Sequence, residues 1–204
     1  AVLNKYGHTP PKYIKERFND EIKKIHIGKQ ESFFIAAAEM INKCRELGVI
    51  STLRGKAGYS FIAYLLGITE VNPLPPHYYC KSCKYTEFVD EDTCYTGYDL
   101  IGYGKEKKLC PRCGSIHWGD GHNIPCESLF VHNGEKKPTF DFNISSDITG
   151  DLRTSLKELV GENRVYDLPL GPKSIGCKKA AEIVDKCRRK SHVSFELEKD
   201  DEFI

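Results

Sequence analysis

The chain has almost no net charge: 30 lysines and arginines against 29 aspartates and glutamates leave +1 over 204 residues. That balance excludes a global electrostatic pull toward nucleic acid, so any such contact must come from local patches. No run of about 20 apolar residues is present, so no membrane-spanning helix and no membrane partner is expected. The N-terminus lacks the apolar core of a signal peptide. The chain opens Ala1-Val2 without an initiator methionine, as a processed chain or an excised segment does. Internal repeats and low-complexity stretches are absent. A paired disulfide framework is lacking too: the nine cysteines are odd in number and four have metal-ligand spacing. That usage points to a reducing, cytoplasmic setting. Hydrophobic residues at 40% and charged residues at 29% supply a core and argue against wholesale disorder.

Against those absences stand two C-x-x-C knuckles, Cys80-Lys-Ser-Cys83 and Cys110-Pro-Arg-Cys113. Two such knuckles joined by one loop are how a zinc ribbon presents four thiolates to one tetrahedral ion. The expected cofactor is therefore structural zinc at Cys80, Cys83, Cys110 and Cys113, in a closed site with no position left for water. His77, Cys94, His117 and Cys126 lie nearby in sequence as alternative ligands, though each reads better as an ordinary buried or surface residue. Cys44, Cys177 and Cys187 sit on helical segments and read as small buried hydrophobes.

Hydrophobic spacing places the other elements. Ile14, Phe18, Ile22 and Ile25 predict one face of a helix opened by Pro10-Pro11 and ended by Gly28. A second helix is expected over 31–47, with Phe34, Ala38, Ile41 and Leu47 among its apolar positions and Gly48 beyond its end. Residues 49–53 read as a short buried strand. They lead into the glycine-containing turn Arg54-Gly55-Lys56-Ala57-Gly58-Tyr59-Ser60 and an apolar helix over 61–66. Strand, glycine loop and helix can present backbone N–H groups to phosphate, or can be a tight turn that needs its glycines. Residues 95–104, rich in tyrosine and glycine, suggest a β-hairpin within the ribbon. Residues 138–144 alternate as a strand does, helices are expected over 152–160 and 175–190, and Val165-Tyr166 reads as the start of a strand. The basic run Lys186, Arg188, Arg189 and Lys190 fits either a DNA-backbone contact or a solvated helix end. The tail over 196–202 is acidic and reads as a mobile end.

Glu70-Val71-Asn72-Pro73-Leu74-Pro75-Pro76-His77-Tyr78, just before the first knuckle, resembles the E-V-N-P-L-P-P-H-Y run of the PolC-type DNA polymerase III catalytic subunits of low-GC Gram-positive bacteria. The turn over 54–60 resembles that family's R-G-S-V-G-S-S loop. Cys110-Pro111-Arg112-Cys113-Gly114 resembles its C-P-R-C-G knuckle, and Asp120-Gly121-His122-Asn123-Ile124-Pro125 resembles D-G-H-D-I-P. Pro138-Thr139-Phe140-Asp141-Phe142-Asn143 is similar to P-D-I-D-L-N, the catalytic strand. Tyr6-Gly7 and the segment 161–166 also have counterparts. The likeness covers nearly the whole chain in order. The family's polymerase is several times longer, with its PHP, exonuclease, fingers and duplex-binding regions outside this match.

The resemblance implies an α/β fold: a polymerase-beta-like nucleotidyltransferase palm with an inserted four-cysteine zinc ribbon. The expected division is a palm-like part over 1–77, the ribbon over 78–116 and a second palm-like part over 117–204. It also implies a DNA-directed DNA polymerase, with primer–template DNA, dNTP and replication proteins as partners and Mg²⁺ as a second metal. In the family D-I-D supplies two carboxylates to a two-metal site, and a third comes from further along. Here Thr139 replaces the first, and Asp141 is the lone remaining Mg²⁺ ligand of the pair. Asp147, Asp151 and Asp167 sit in no matching motif. Arg54, Gly55, Gly58 and Ser60 keep the family's phosphate-loop residues, while Lys56 and Tyr59 replace serines. Either a phosphate site survives there or an inherited turn does.

Three functions follow as expectations. One is a catalytically degenerate palm-like module acting through DNA or replisome contacts. Another is a fragment of an active polymerase whose missing ligands come from elsewhere. The third is a phage or mobile-element protein that mimics the palm and modulates a replicase.

Overall fold

A computed structural model of the protein describes residues 2–89, 95–101, 107–128 and 139–166. The chain divides into two compact units, 1–165 and 166–204. The expected helix over 175–190, the basic run 186–190, the acidic tail, Cys94, Asp167, Cys177 and Cys187 lie outside the described residues.

Helices supply most of the regular structure among the described residues. α1 (Val2–Tyr6) precedes α2 (Lys12–Ile27), which starts after Pro11 in an extended conformation. The buried face of α2 carries Ile14, Arg17, Glu21 and Ile25. Ile22, expected inside, is 42% exposed. The face is rotated because Arg17 and Glu21 form a buried ion pair at 2.6 Å that serves a neighbouring helix. α3 (Glu31–Glu46) buries Phe34, Ala37, Ile41 and Cys44, a three-four-three spacing that keeps one stripe inward. Its end is a Schellman turn: Val49 N–H donates to Cys44 O, Gly48 N–H donates to Arg45 O, and Gly48 takes φ 68°. Cys44 is thus the small buried hydrophobe its sequence context suggests, packed with Ile148 and Leu152. Leu152 lies on α6 (Thr149–Val160).

Residues 49–53 do not form a buried strand. Ile50 is 87% exposed, and the strand β1 is Thr52–Arg54. It pairs antiparallel with β5 (Asp141–Asn143), matching Arg54 to Asp141 and Leu53 to Phe142. A two-stranded ribbon with one face on helices can bury only alternate residues. Leu53, Phe140 and Phe142 pack toward the core of Ile25, Phe34, Ala37, Ile41 and Ile62, while Arg54 and Asp141 face outward. Between β1 and α4 (Phe61–Leu65), Lys56–Tyr59 forms a 3₁₀ turn.

The cysteine ribbon is a three-stranded antiparallel sheet in the order β3 (Thr86–Phe88), β2 (His77–Tyr79), β4 (Trp118–Asp120). Tyr79 and Phe88 join Tyr6, Ile14, Phe61 and Leu74 in a second core cluster, which seats the ribbon on α1, α2 and α4. The hairpin expected over 95–104 is absent from its described part: residues 98–101 form a short helix, α5 (Tyr98–Ile101). Asp99 accepts from the Thr96 backbone N–H at 2.8 Å, a local bond that caps a turn in place of a strand ladder. No strand starts at Val165-Tyr166 among the described residues; a 3₁₀ turn over Glu162–Arg164 follows α6 instead.

Candidate functional site

The two knuckles are built alike. Cys80 N–H donates to Tyr85 O and Cys110 N–H to Ser115 O, while Lys84 N–H and Gly114 N–H return to Cys80 O and Cys110 O. The fourth residue after each first cysteine is left-handed, Lys84 at φ 63° and Gly114 at φ 71°. This folds both pairs of sulfurs toward one point. The four Sγ atoms lie within 4.8 Å of one another, with Cys80–Cys113 and Cys83–Cys110 each 3.5 Å apart. A tetrahedral zinc with Zn–S near 2.3 Å needs sulfur separations of about 3.8 Å, so the donor set fits the ion. Hydrogen bonds from Ser115 draw the Cys113 thiol down to about 6. Burial and the neighbouring thiols push Cys83 up to about 12. A dication bound among them would favour the thiolate form of all four.

The other candidate ligands among the described residues, His77, His117 and Cys126, are placed elsewhere. His77 is fully buried, with Nδ1 2.7 Å from Pro75 O. His117 lies between the rings of Tyr78 and Tyr85, at 5.7 and 5.8 Å. Burial pushes the pKa of both imidazoles down. Cys126 meets Asp20 and Glu127, each at 3.2 Å, but the Lys24 ammonium stands 3.0 Å from its sulfur and already supplies the positive charge. Burial pushes the Cys126 thiol up to about 11.

The glycine turn splits into two halves. Arg54 and Gly55 face solvent beside Asp141: Gly55 has φ 81°, and a Cβ there would stand 3.6 Å from Asp141 Oδ2. Gly58 and Ser60 face inward. Gly58 packs against Thr69 and Leu53, and its N–H donates to Gly55 O. Ser60 is fully buried as the N-cap of α4, its Oγ accepting from Ala63 N–H at 3.1 Å. The amides that open α4 are engaged as well. Glu21 is fully buried and accepts from Ser60 Oγ at 2.7 Å, Phe61 N–H at 3.0 Å and Ile62 N–H at 3.1 Å. Arg17 neutralises that carboxylate and also donates to Ile124 O at 3.0 Å. An internal anion therefore occupies the position a phosphate would take at this helix start. Thr139, Asp147 and Asp151 are exposed. Among the described residues Asp141 belongs to no cluster of three or more potential metal ligands.

Two motifs singled out in the sequence lace together. His122, Asn123 and Ile124 donate their N–H groups to Asn72, Leu74 and Pro73 carbonyls. Gly121, at φ 101°, leaves no room for a Cβ against the Pro75 and Leu74 carbonyls. Asp120 Oδ2 then gathers Lys5 Nζ at 3.0 Å, Tyr64 Oη at 2.9 Å and Asn72 Nδ2 at 2.8 Å. Burial works against the Asp120 carboxylate, but Lys5 and these donors outweigh it and hold its pKa below the usual range. Sequence reasoning missed Glu21 and the role of Asp120. The Arg17/Glu21 pair, four residues apart within an apolar stripe, was the signal available.

These features define a mixed α/β protein with small sheets and a four-cysteine cluster able to hold a metal ion. The family model for the bacterial DNA polymerase III alpha NTPase domain matches residues 1–186, and the chain belongs to that family. PolC-type DNA polymerase III of Thermotoga maritima is 39% identical over 161 residues, 79% of this chain and 11% of that protein. The Thermotoga petrophila and Streptococcus agalactiae proteins of the same name are 38% and 34% identical with the same coverage. The chain spans 11% of the length of these relatives.

Proposed function

We propose that the chain is a palm-like module of PolC-type DNA polymerase III, acting in DNA replication through DNA or replisome contacts and catalytically degenerate on its own. The observation that carries this reading is the single carboxylate beside the glycine turn. Nucleotidyl transfer uses two Mg²⁺ ions: one activates the primer 3′-hydroxyl, and both stabilise charge on the transferring phosphoryl group. Asp141 offers one carboxylate, and Thr139 offers a neutral hydroxyl where the resembling motif has the second. Arg54, beside it, is suited to bind a phosphate bidentately. Gly58 and Ser60 support the turn rather than the ligand, because their polar groups are engaged within the protein. Zinc at the four cysteines has a structural role. Mg²⁺-dependent primer extension by the purified, zinc-loaded chain tests the reading: no extension supports it and extension refutes it.

A second reading has one specific observation in its favour. The chain covers 11% of its relatives' length, so carboxylates from other regions can complete the metal site in a longer polypeptide. Adding the missing regions in trans and recovering extension that depends on Asp141 would support that alternative.

A further inference from the structure

We propose that the outer edge of the ribbon, where a cation-lined cavity adjoins a stack of aromatic rings, binds single-stranded DNA. The cavity has a volume of about 210 Å³ and lies between the turn over 7–11 and the first knuckle. Its polar side chains include His8, Thr9, Lys84 and Arg112, and among the described residues that line it there is no carboxylate. Lys84 projects from the left-handed knuckle position at φ 63°, and its Nζ donates to Tyr79 Oη at 3.3 Å. A lysine, an arginine and a hydroxyl around one small opening suit a phosphate diester oxygen.

Tyr85 lines that cavity and also begins the ring stack. His117 lies 5.8 Å from Tyr85 at an interplanar angle of 10°, and Tyr78 lies 5.7 Å beyond at 23°. His117 is 2% exposed, and among the described residues neither ring nitrogen has a hydrogen-bond partner. This imidazole therefore acts as a flat apolar spacer that holds the two tyrosines parallel. The Arg112 guanidinium stands 5.5 Å from the Tyr85 ring centroid and is itself exposed. It can swing to a phosphate and leave the ring to a base, or sandwich a base against it. Lys108 covers Tyr78 at 4.2 Å but is already paired with Glu87 at 2.9 Å, so of the two cations over the stack Arg112, at the cavity end, is the one assigned to the strand. A phosphate cradle next to a ring platform is the combination that binds unpaired strands, because stacking needs a free base face. The choice of DNA rests on the function proposed above. The site itself uses neither Arg54, Gly55 nor Asp141.

Fluorescence anisotropy of a labelled oligothymidylate, alone and annealed to its complement, is the test, with the zinc-loaded chain at several salt concentrations. The expected result is tighter binding to the single strand. Arg112→Ser should weaken it and lower the salt slope by about 0.7. Tyr85→Leu should weaken it by about 5- to 150-fold at an unchanged slope. Zinc content is measured for each variant, so loss of the ribbon is told apart from loss of the contact. Tighter binding to the duplex overturns the proposal, as does binding that neither variant alters while zinc is retained. Primer extension is not a readout, so a failure of the polymerase reading leaves this test intact.

Discussion

The ribbon and the β1–β5 corner are both small antiparallel structures, yet among the described residues only the ribbon brings four candidate metal ligands together. The ribbon's four thiols converge within 4.8 Å, and two matching turns hold them there. At the corner, Arg54 and Asp141 face solvent from paired positions, while Gly58, Ser60 and the start of α4 are engaged internally with Glu21. The four-cysteine cluster is assembled from two short local segments, each shaped by its own turn. A two-metal active site needs carboxylates from distant parts of a chain, and in the reading proposed above Thr139 leaves Asp141 without a paired carboxylate.

The largest effect should separate the two regions outright. Cys83→Ser removes one of four ligands, and we expect zinc content to fall from one per chain to near zero with loss of the ribbon's ordered amide signals. The corner's strand pairing should outlast that change; simultaneous collapse of both regions would end the comparison. Next is Glu21→Ala, which leaves Arg17 buried without its partner and uncaps α4. Denaturant unfolding should show a loss of about 3–5 kcal/mol, and a loss near that of a surface substitution would contradict the account of α4. Asp120→Asn weakens the bonds from Lys5 and Tyr64 that tie the ribbon to the helices, and about 2 kcal/mol is expected.

Acid should act through the same contacts. Burial lowers the folded pKa of His77 and His117, so below about pH 6.5 the unfolded chain binds more protons than the folded one. Stability therefore rises with pH through the window from those lowered values up to about 6.5, and falls on acidification. Melting temperature followed downward from neutral pH checks this, and His117→Phe should flatten the slope while keeping the ring stack. Asp120, held low, adds stability that is complete above about pH 3.9 and is lost as pH falls through its folded value. The smallest effect belongs to Asp141→Asn: on an exposed strand position it should change stability by no more than about 0.5 kcal/mol. A larger loss would mean that the corner is structural.

Much of this was legible in the sequence because it is local. The helices over 12–27 and 31–46, their glycine ends and the knuckles follow from spacing within a few residues. The burial of Arg17 and Glu21 was not legible, since it depends on α4 arriving forty residues later to be capped. The strand expected over 49–53 slid to 52–54 because its partner, β5, fixes the register. The short helix at 98–101 hid behind tyrosine and glycine composition, and the Thr96–Asp99 bond decides it. The motif over 120–125 was visible, but its work was not: it stitches the proline-rich run to the helices through Asp120.

Mg²⁺-dependent primer extension by the zinc-loaded chain, with zinc content measured in the same preparation, tests the central claim most directly. The account predicts one zinc per chain and no extension. Extension that disappears on substituting Asp141 would contradict it and would make the corner an active site.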